Sequence, residues 1–188
     1  MGFSEIKGQE NAIKVLERYL AGGRMKGGYL FSGPEGVGKK MAAISLAMAL
    51  NCARQDNSAC GECSSCRRIA AVSHPDVRII PGEAAEIKIE EIHELRREIS
   101  FKPYEAEVKV FIVDNAHKLN SEASNCLLKV LEEPPSRSLM ILVSDKPAVL
   151  LRTIVSRCRQ VKFSPLRRGL LEEMLEGFLR VAAIFGIE

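Results

Sequence analysis

The stretch Tyr29-Leu30-Phe31-Ser32-Gly33-Pro34-Glu35-Gly36-Val37-Gly38-Lys39-Lys40 decides how this chain is read. Its first four residues form a short apolar run of the kind that makes a buried strand, stopped by Gly33 and Pro34. Gly33 to Lys39 then fits the first seven positions of a phosphate-binding loop, and a helix is predicted from Lys39 to about Asn51. Each residue type has a physical reason to be there. Glycines let successive backbone N–H groups turn inward around phosphate oxygens, the helix that follows points its positive end at them, and Lys39 brings a mobile charge. The candidate nucleotide-binding residues are therefore Gly33, Pro34, Glu35, Gly36, Val37, Gly38, Lys39 and Lys40.

The loop departs from the usual pattern at its last position. Ser or Thr normally follows the loop lysine and offers a hydroxyl to Mg²⁺; here Lys40 follows. A unit charge about 4 Å from a divalent ion, at an effective dielectric of about 20, costs on the order of 8 kcal/mol, which Lys40 escapes only by swinging outward. A second departure lies downstream. Phe111-Ile112-Val113-Asp114 is an apolar strand ending in an acid, the usual position of the carboxylate that holds Mg²⁺, so Asp114 joins the candidate nucleotide site. The next residue is Asn115, which has no carboxylate to orient and deprotonate an attacking water. The expectation is that ATP or ADP can bind, that Mg²⁺ is poorly accommodated, and that hydrolysis is weak or absent.

Working outward, helices and strands alternate. Ala12, Ile13, Leu16 and Leu20 give residues 9 to 21 a helical period, and Ile89, Ile92, Leu95 and Ile99 mark another amphipathic helix closed by Pro103. Ser121 is expected to cap a helix that runs through Leu131 and ends at Pro134-Pro135. Further strands are predicted at Val77 to Ile80, Val108 to Val113, Leu139 to Val143 and Gln160 to Phe163. Strands separated by helices predict an α/β fold, a parallel sheet flanked by helices on both faces. After Ser164-Pro165 the pattern changes to Leu166, Leu170, Leu171, Met174, Leu175 and Phe178, a helix without a visible partner. Residues 1–165 are read as one nucleotide-binding domain, and 166–188 as the truncated beginning of a helical second domain.

Composition bounds the job. At 188 residues, 46% hydrophobic and 27% charged, the chain can bury one substantial core. A net charge of +3 falls well short of a dedicated nucleic-acid-binding domain. The longest apolar run, Met41 to Leu50, is too short to span a membrane, and the first residues lack a secretory profile, so a cytoplasmic location is expected.

Cys52, Cys60, Cys63 and Cys66 put four thiols within fifteen residues. Such spacing suits a closed tetrahedral zinc site, hence a structural Zn²⁺, with an iron–sulfur cluster as the alternative. Disulfides are disfavoured in a cytosolic protein. Cys126, on an apolar helix, is read as core.

Gly8-Gln9-Glu10, the phosphate loop, the four-cysteine insert, Leu127-Leu128-Lys129-Val130-Leu131-Glu132-Glu133-Pro134-Pro135 and Ser156-Arg157-Cys158 occur in an order that resembles the bacterial clamp-loader group of AAA+ proteins. The likeness covers roughly residues 5 to 166. It implies an AAA+ nucleotide-binding domain, with the zinc insert at 52–66 and a helical lid after it. Motor subunits of that group carry Lys-Thr or Lys-Ser in the loop and Asp-Glu in the second motif. Lys39-Lys40 and Asp114-Asn115 instead resemble the delta-prime type of DNA polymerase III subunit. The resemblance then implies that Arg157 is an arginine finger acting on a neighbour's ATP site. It also implies gamma/tau-type and delta subunits, the sliding clamp and primed DNA as partners. Ser144 and Asp145 fall where the superfamily keeps a polar sensor of the terminal phosphate. The lid's own sensor arginine is expected past Glu188. An ATP-hydrolysing motor subunit is the rival reading, which Lys40 and Asn115 oppose. A small-molecule kinase with a zinc insert would leave the Glu-Glu-Pro-Pro and Ser-Arg-Cys segments without a role.

Overall fold

The computed structural model describes the backbone of residues 2–23, 25–54 and 56–185, and the side chains of those up to 176. Helix α1 spans Glu10–Ala21, strand β1 Gly27–Ser32 and helix α2 Lys39–Leu50. Helix α3 (Ser64–Ala70), strand β2 (Val77–Ile80), helix α4 (Ile89–Ile99) and strand β3 (Lys109–Val113) follow. Then come helix α5 (Ser121–Glu132), strand β4 (Ser138–Ser144), helix α6 (Arg152–Arg157), strand β5 (Cys158–Lys162) and helix α7 (Arg168–Phe185). The side chain of Phe178 lies outside those described.

All five strands are parallel, in the order β2-β3-β4-β1-β5. Successive side chains of a strand leave opposite faces. Tyr29 and Phe31 accordingly join Leu16, Leu46, Ile112 and Val143 on one side, whereas Leu30 joins Ile92, Leu95, Phe111 and Leu142 on the other. Both faces are thus buried, which is why these strands read as continuous apolar runs rather than alternating ones. Helix α2 is buried nearly all round, in keeping with its Ala-rich sequence. Cys126 is buried in the second cluster, as expected of a core residue.

Two helices, α3 and α6, have no counterpart in the sequence reading. With seven and six residues, they are too short to display a hydrophobic period. The cap of α5 is corrected by one residue: Asn120 is the N-cap, its side-chain oxygen accepting from the Ala123 N–H at 2.8 Å, and Ser121 is the first helical residue. Both types make good caps, so composition alone does not separate them. The last strand begins at Cys158, two residues earlier than its apolar core at Val161 indicated, because an edge strand exposes Arg159 and Gln160.

Candidate nucleotide and metal sites

Strands β1, β3 and β4 deliver Gly33, Asp114 and Asp145 to one end of the sheet. There the strand order switches, with β2, β3 and β4 on one side of β1 and β5 on the other, the place where open α/β sheets bind ligands. Gly33 passes so close to the end of β5 that a Cβ on it would lie 2.3 Å from the Phe163 carbonyl oxygen. Gly38 caps α2 at φ +92°, a conformation that favours glycine. Gln9 ties the start of α1 to the segment after β5 with two bonds to Ser164, donating from Nε2 to its carbonyl at 2.8 Å and accepting its N–H at 2.9 Å.

Lys39 is buried and folds back into the loop, where its ammonium donates to the Gly33 carbonyl at 2.8 Å and to that of Pro34. Burial pulls its pKa below the usual lysine value, against the opposing pull of Asp145, Asp114 and Glu35. Lys40 does not swing outward. Its ammonium lies 3.1 Å from Asp114 Oδ2, while Asp114 Oδ1 accepts the Asn115 N–H at 3.0 Å. Both oxygens of the acid that would hold Mg²⁺ therefore have partners, one of them a cation of the chain itself. This donor set does not fit a divalent metal, and no hydroxyl stands at position 40. Asn115, at φ +49°, turns its amide away to donate to the Gly82 carbonyl at 3.2 Å. A cavity of about 480 Å³ remains beside these groups, lined by Glu35, Gly36, Lys39, Lys40, Asp114 and Asp145 among others.

His117 has no signal in the sequence. On a short 3-10 turn after β3, its Nδ1 lies 2.9 Å from Asp145 Oδ1 and 3.4 Å from Ser144 Oγ. The Asp145 approach is close without the alignment of a hydrogen bond. The two residues read as a phosphate sensor are thus linked to the turn that follows Asp114.

Arg157 ends α6 immediately before β5 and is exposed. Its Nη1 donates to the Thr153 carbonyl at 3.0 Å, and its Nη2 lies 2.8 Å from Glu132 Oε1 at the end of α5.

The four predicted metal ligands converge. Cys52 follows α2, Cys60 lies in the loop, Cys63 caps α3 and Cys66 sits within it; all four sulfurs lie within 4.8 Å of one another. The Cys60 and Cys66 sulfurs are 3.9 Å apart, against a tetrahedral edge of about 3.8 Å implied by Zn–S bonds of about 2.3 Å. None of the four is in a disulfide. The Cys63 N–H donates to Cys60 Sγ at 3.3 Å and the Cys66 N–H to Cys63 Sγ at 3.4 Å, bonds that favour thiolates. Backbone N–H groups, first that of Ala53 and then that of Cys66, draw the Cys63 thiol down to about 6. The residues fit zinc, and four protein ligands leave it no open position, so its contribution would be to fold the insert. Asn51, next to Cys52, ties this end of α2 to β3 by exchanging bonds of 3.0 Å with both backbone groups of Val108.

A parallel sheet in this strand order, with a phosphate loop after its first strand, is the P-loop AAA+ architecture. Solved structures agree. The Thermotoga maritima RuvB Holliday junction branch migration motor superposes with TM-score 0.63 at 18% identity, covering 100% of this chain and 54% of that one. A DNA polymerase III gamma subunit-related protein from the same organism gives 0.58 at 19% identity over 85% of this chain and 47% of that one. The family model described as DNA polymerase III, delta subunit, matches residues 8–167. Subunit delta' of Bacillus subtilis is 34% identical over 167 residues, covering 89% of this chain and 51% of its own length. Subunit tau of the same organism is 38% identical over 162 residues, 86% of this chain and 29% of its own. The chain belongs to the bacterial clamp-loader AAA+ family of DNA polymerase III subunits. It spans about half, or less, of the length of these relatives.

Proposed function

We propose that the chain works as a delta-prime-type subunit, completing the loader ring and serving a neighbour's ATP site rather than hydrolysing ATP itself. The observation that carries this reading is the Lys40–Asp114 pair at 3.1 Å, which takes up the carboxylate a catalytic metal needs. Asn115 adds to it, since an amide bonded to Gly82 cannot serve as the base for an attacking water.

A ring ATPase needs both a pocket and a cation supplied across an interface to stabilise charge on the transferred phosphoryl group. One subunit can lose the first duty and keep the second. Arg157 is the group assigned to it here. Its planar fork suits two parallel bonds to phosphoryl oxygens, and to make them it exchanges Glu132 for the neighbour's phosphate. The neighbours in this reading are gamma/tau-type and delta subunits, working with the sliding clamp on primed DNA in the cytoplasm. DNA contact would be mostly to the phosphate backbone. The 38% identity to tau favours a second reading, an ATP-hydrolysing motor subunit.

Steady-state turnover of ATP by the isolated chain separates the two. The proposed role predicts negligible hydrolysis. Turnover of about 1 per second or faster, abolished by Lys39→Ala, would establish a motor subunit instead. No helix among the described residues is long and apolar enough to cross a membrane.

A further inference from the structure

We propose that the phosphate pocket binds a nucleoside di- or triphosphate without any divalent cation, the Lys40 ammonium pairing with Asp114 where the metal would be. The inference rests on the reading above, that this pocket has left hydrolysis, and adds what it still does.

Lys40 and Asp114 are 3.1 Å apart, and the second oxygen of Asp114 holds the Asn115 N–H. A metal entering here would have to displace a cation that is covalently part of the chain. The same ammonium borders the cavity that Gly36, Gly38 and Lys39 line. It therefore cancels the Asp114 charge that would otherwise repel a phosphate there. The loop's own recognition elements are intact. Gly36 and Gly38 keep the positive φ values that turn the backbone inward, at +76° and +92°. The twelve-residue α2 directs its N-terminus at the loop. Lys39 is buried with its ammonium on the carbonyls of Gly33 and Pro34, so a phosphate oxygen has only to compete with two neutral acceptors for a charge-assisted bond. Lys39 and the helix N-terminus remain to hold a polyphosphate, with the Asp114 charge cancelled by Lys40. What Mg²⁺ adds in related sites, the clamping of charge for transfer, is what this one lacks.

The test is isothermal titration of ADP and of ATP into the 188-residue chain, once in EDTA and once in excess Mg²⁺. The expected result is one-to-one binding with dissociation constants that agree within about threefold between the two conditions. Lys40→Thr, which restores a metal hydroxyl, should weaken binding in EDTA by about tenfold or more and make it Mg²⁺-dependent. Lys40→Arg keeps the charge and should keep the EDTA-insensitive binding, which guards against a variant that merely fails to fold. Binding seen only with Mg²⁺, binding in neither condition, or an unchanged Lys40→Thr in EDTA would each overturn the proposal. Those results leave the role of Arg157 untouched. ATP turnover, by contrast, would sink the non-hydrolysing reading whatever the binding data show.

Discussion

Arg157 and Glu132 meet across the ends of two helices, with Nη2 of the arginine 2.8 Å from Oε1 of the glutamate and both side chains open to solvent. The pair joins two of the segments on which the family resemblance rests, Glu-Glu-Pro-Pro and Ser-Arg-Cys. In the proposed role, a neighbour's phosphate would replace the Glu132 carboxylate on this guanidinium.

Exposed pairs of this kind contribute at most about 1 kcal/mol. Arg157→Ala and Glu132→Ala should therefore each change urea-unfolding stability by less than about 1 kcal/mol. A loss of about 3 kcal/mol or more would mean that the pair is a structural clamp and not a resting position.

The four-sulfur cluster predicts about one zinc atom per chain, measured by elemental analysis of protein purified without chelator. Structural zinc binds peptide sites with about 10–16 kcal/mol, so stripping it should expose the insert between Cys52 and Cys66 to rapid hydrogen exchange while the sheet stays protected. Cys66 is fully buried and Cys60 is not, so Cys66→Ser should be the more damaging variant. Four freely reactive thiols and no metal would contradict the site, and visible absorbance would point to an iron–sulfur cluster.

A buried acid predicts how the fold responds to pH. Asp76, at the entry to β2, accepts the backbone N–H of Tyr104 at 2.8 Å and those of Glu105 and Ala106 at 2.9 Å, with the Lys109 ammonium 3.8 Å away. Burial alone would raise its pKa; the three N–H groups and Lys109 outweigh that and hold it below the usual carboxylate value. The stability it contributes is thus full above about 3.9 and lost as pH falls through the lower native value. His74, pushed down by burial, adds an earlier loss that begins below about 6.5, where the unfolded chain takes up a proton that the fold resists. Asp76→Asn should cost about 2 kcal/mol at neutral pH, and its deficit relative to the unmodified chain should shrink below about pH 4. A deficit that stays constant across pH would show that the carboxylate charge is not what matters.

How much of this was legible in the residues follows from where the signal lies. The strand–loop–helix around Gly33 to Lys39 was legible because glycine spacing, a buried apolar run and a lysine agree on one geometry. So was the cysteine cluster, whose short spacing limits how far the sulfurs can separate. The bounds of β2 and α4 follow from apolar runs that stop at Pro81 and before Pro103. What tertiary placement decides was not legible. His117 reaches Ser144 and Asp145 only because β3 and β4 are neighbours, and no local pattern marks it. The inward turn of Lys40 depends on Asp114, which lies 74 positions away along the chain yet one strand end distant in the fold. Arg157 and Glu132 each lie in a family segment, but their pairing was not legible, since helix α6, which ends in Arg157, is too short to announce itself.

Whether Arg157 acts on a neighbour's ATP site is decided by DNA- and clamp-stimulated ATP hydrolysis in a reconstituted loader carrying Arg157→Ala, with ring assembly followed alongside. Arginine fingers contribute about 10³–10⁵ in turnover at the site they serve, diluted here because the other sites of the ring keep their own. Normal assembly is expected, with hydrolysis and clamp loading both reduced. Hydrolysis and loading equal to those of the unmodified loader would rule out a finger role and leave Arg157 with only the surface ion pair it makes with Glu132.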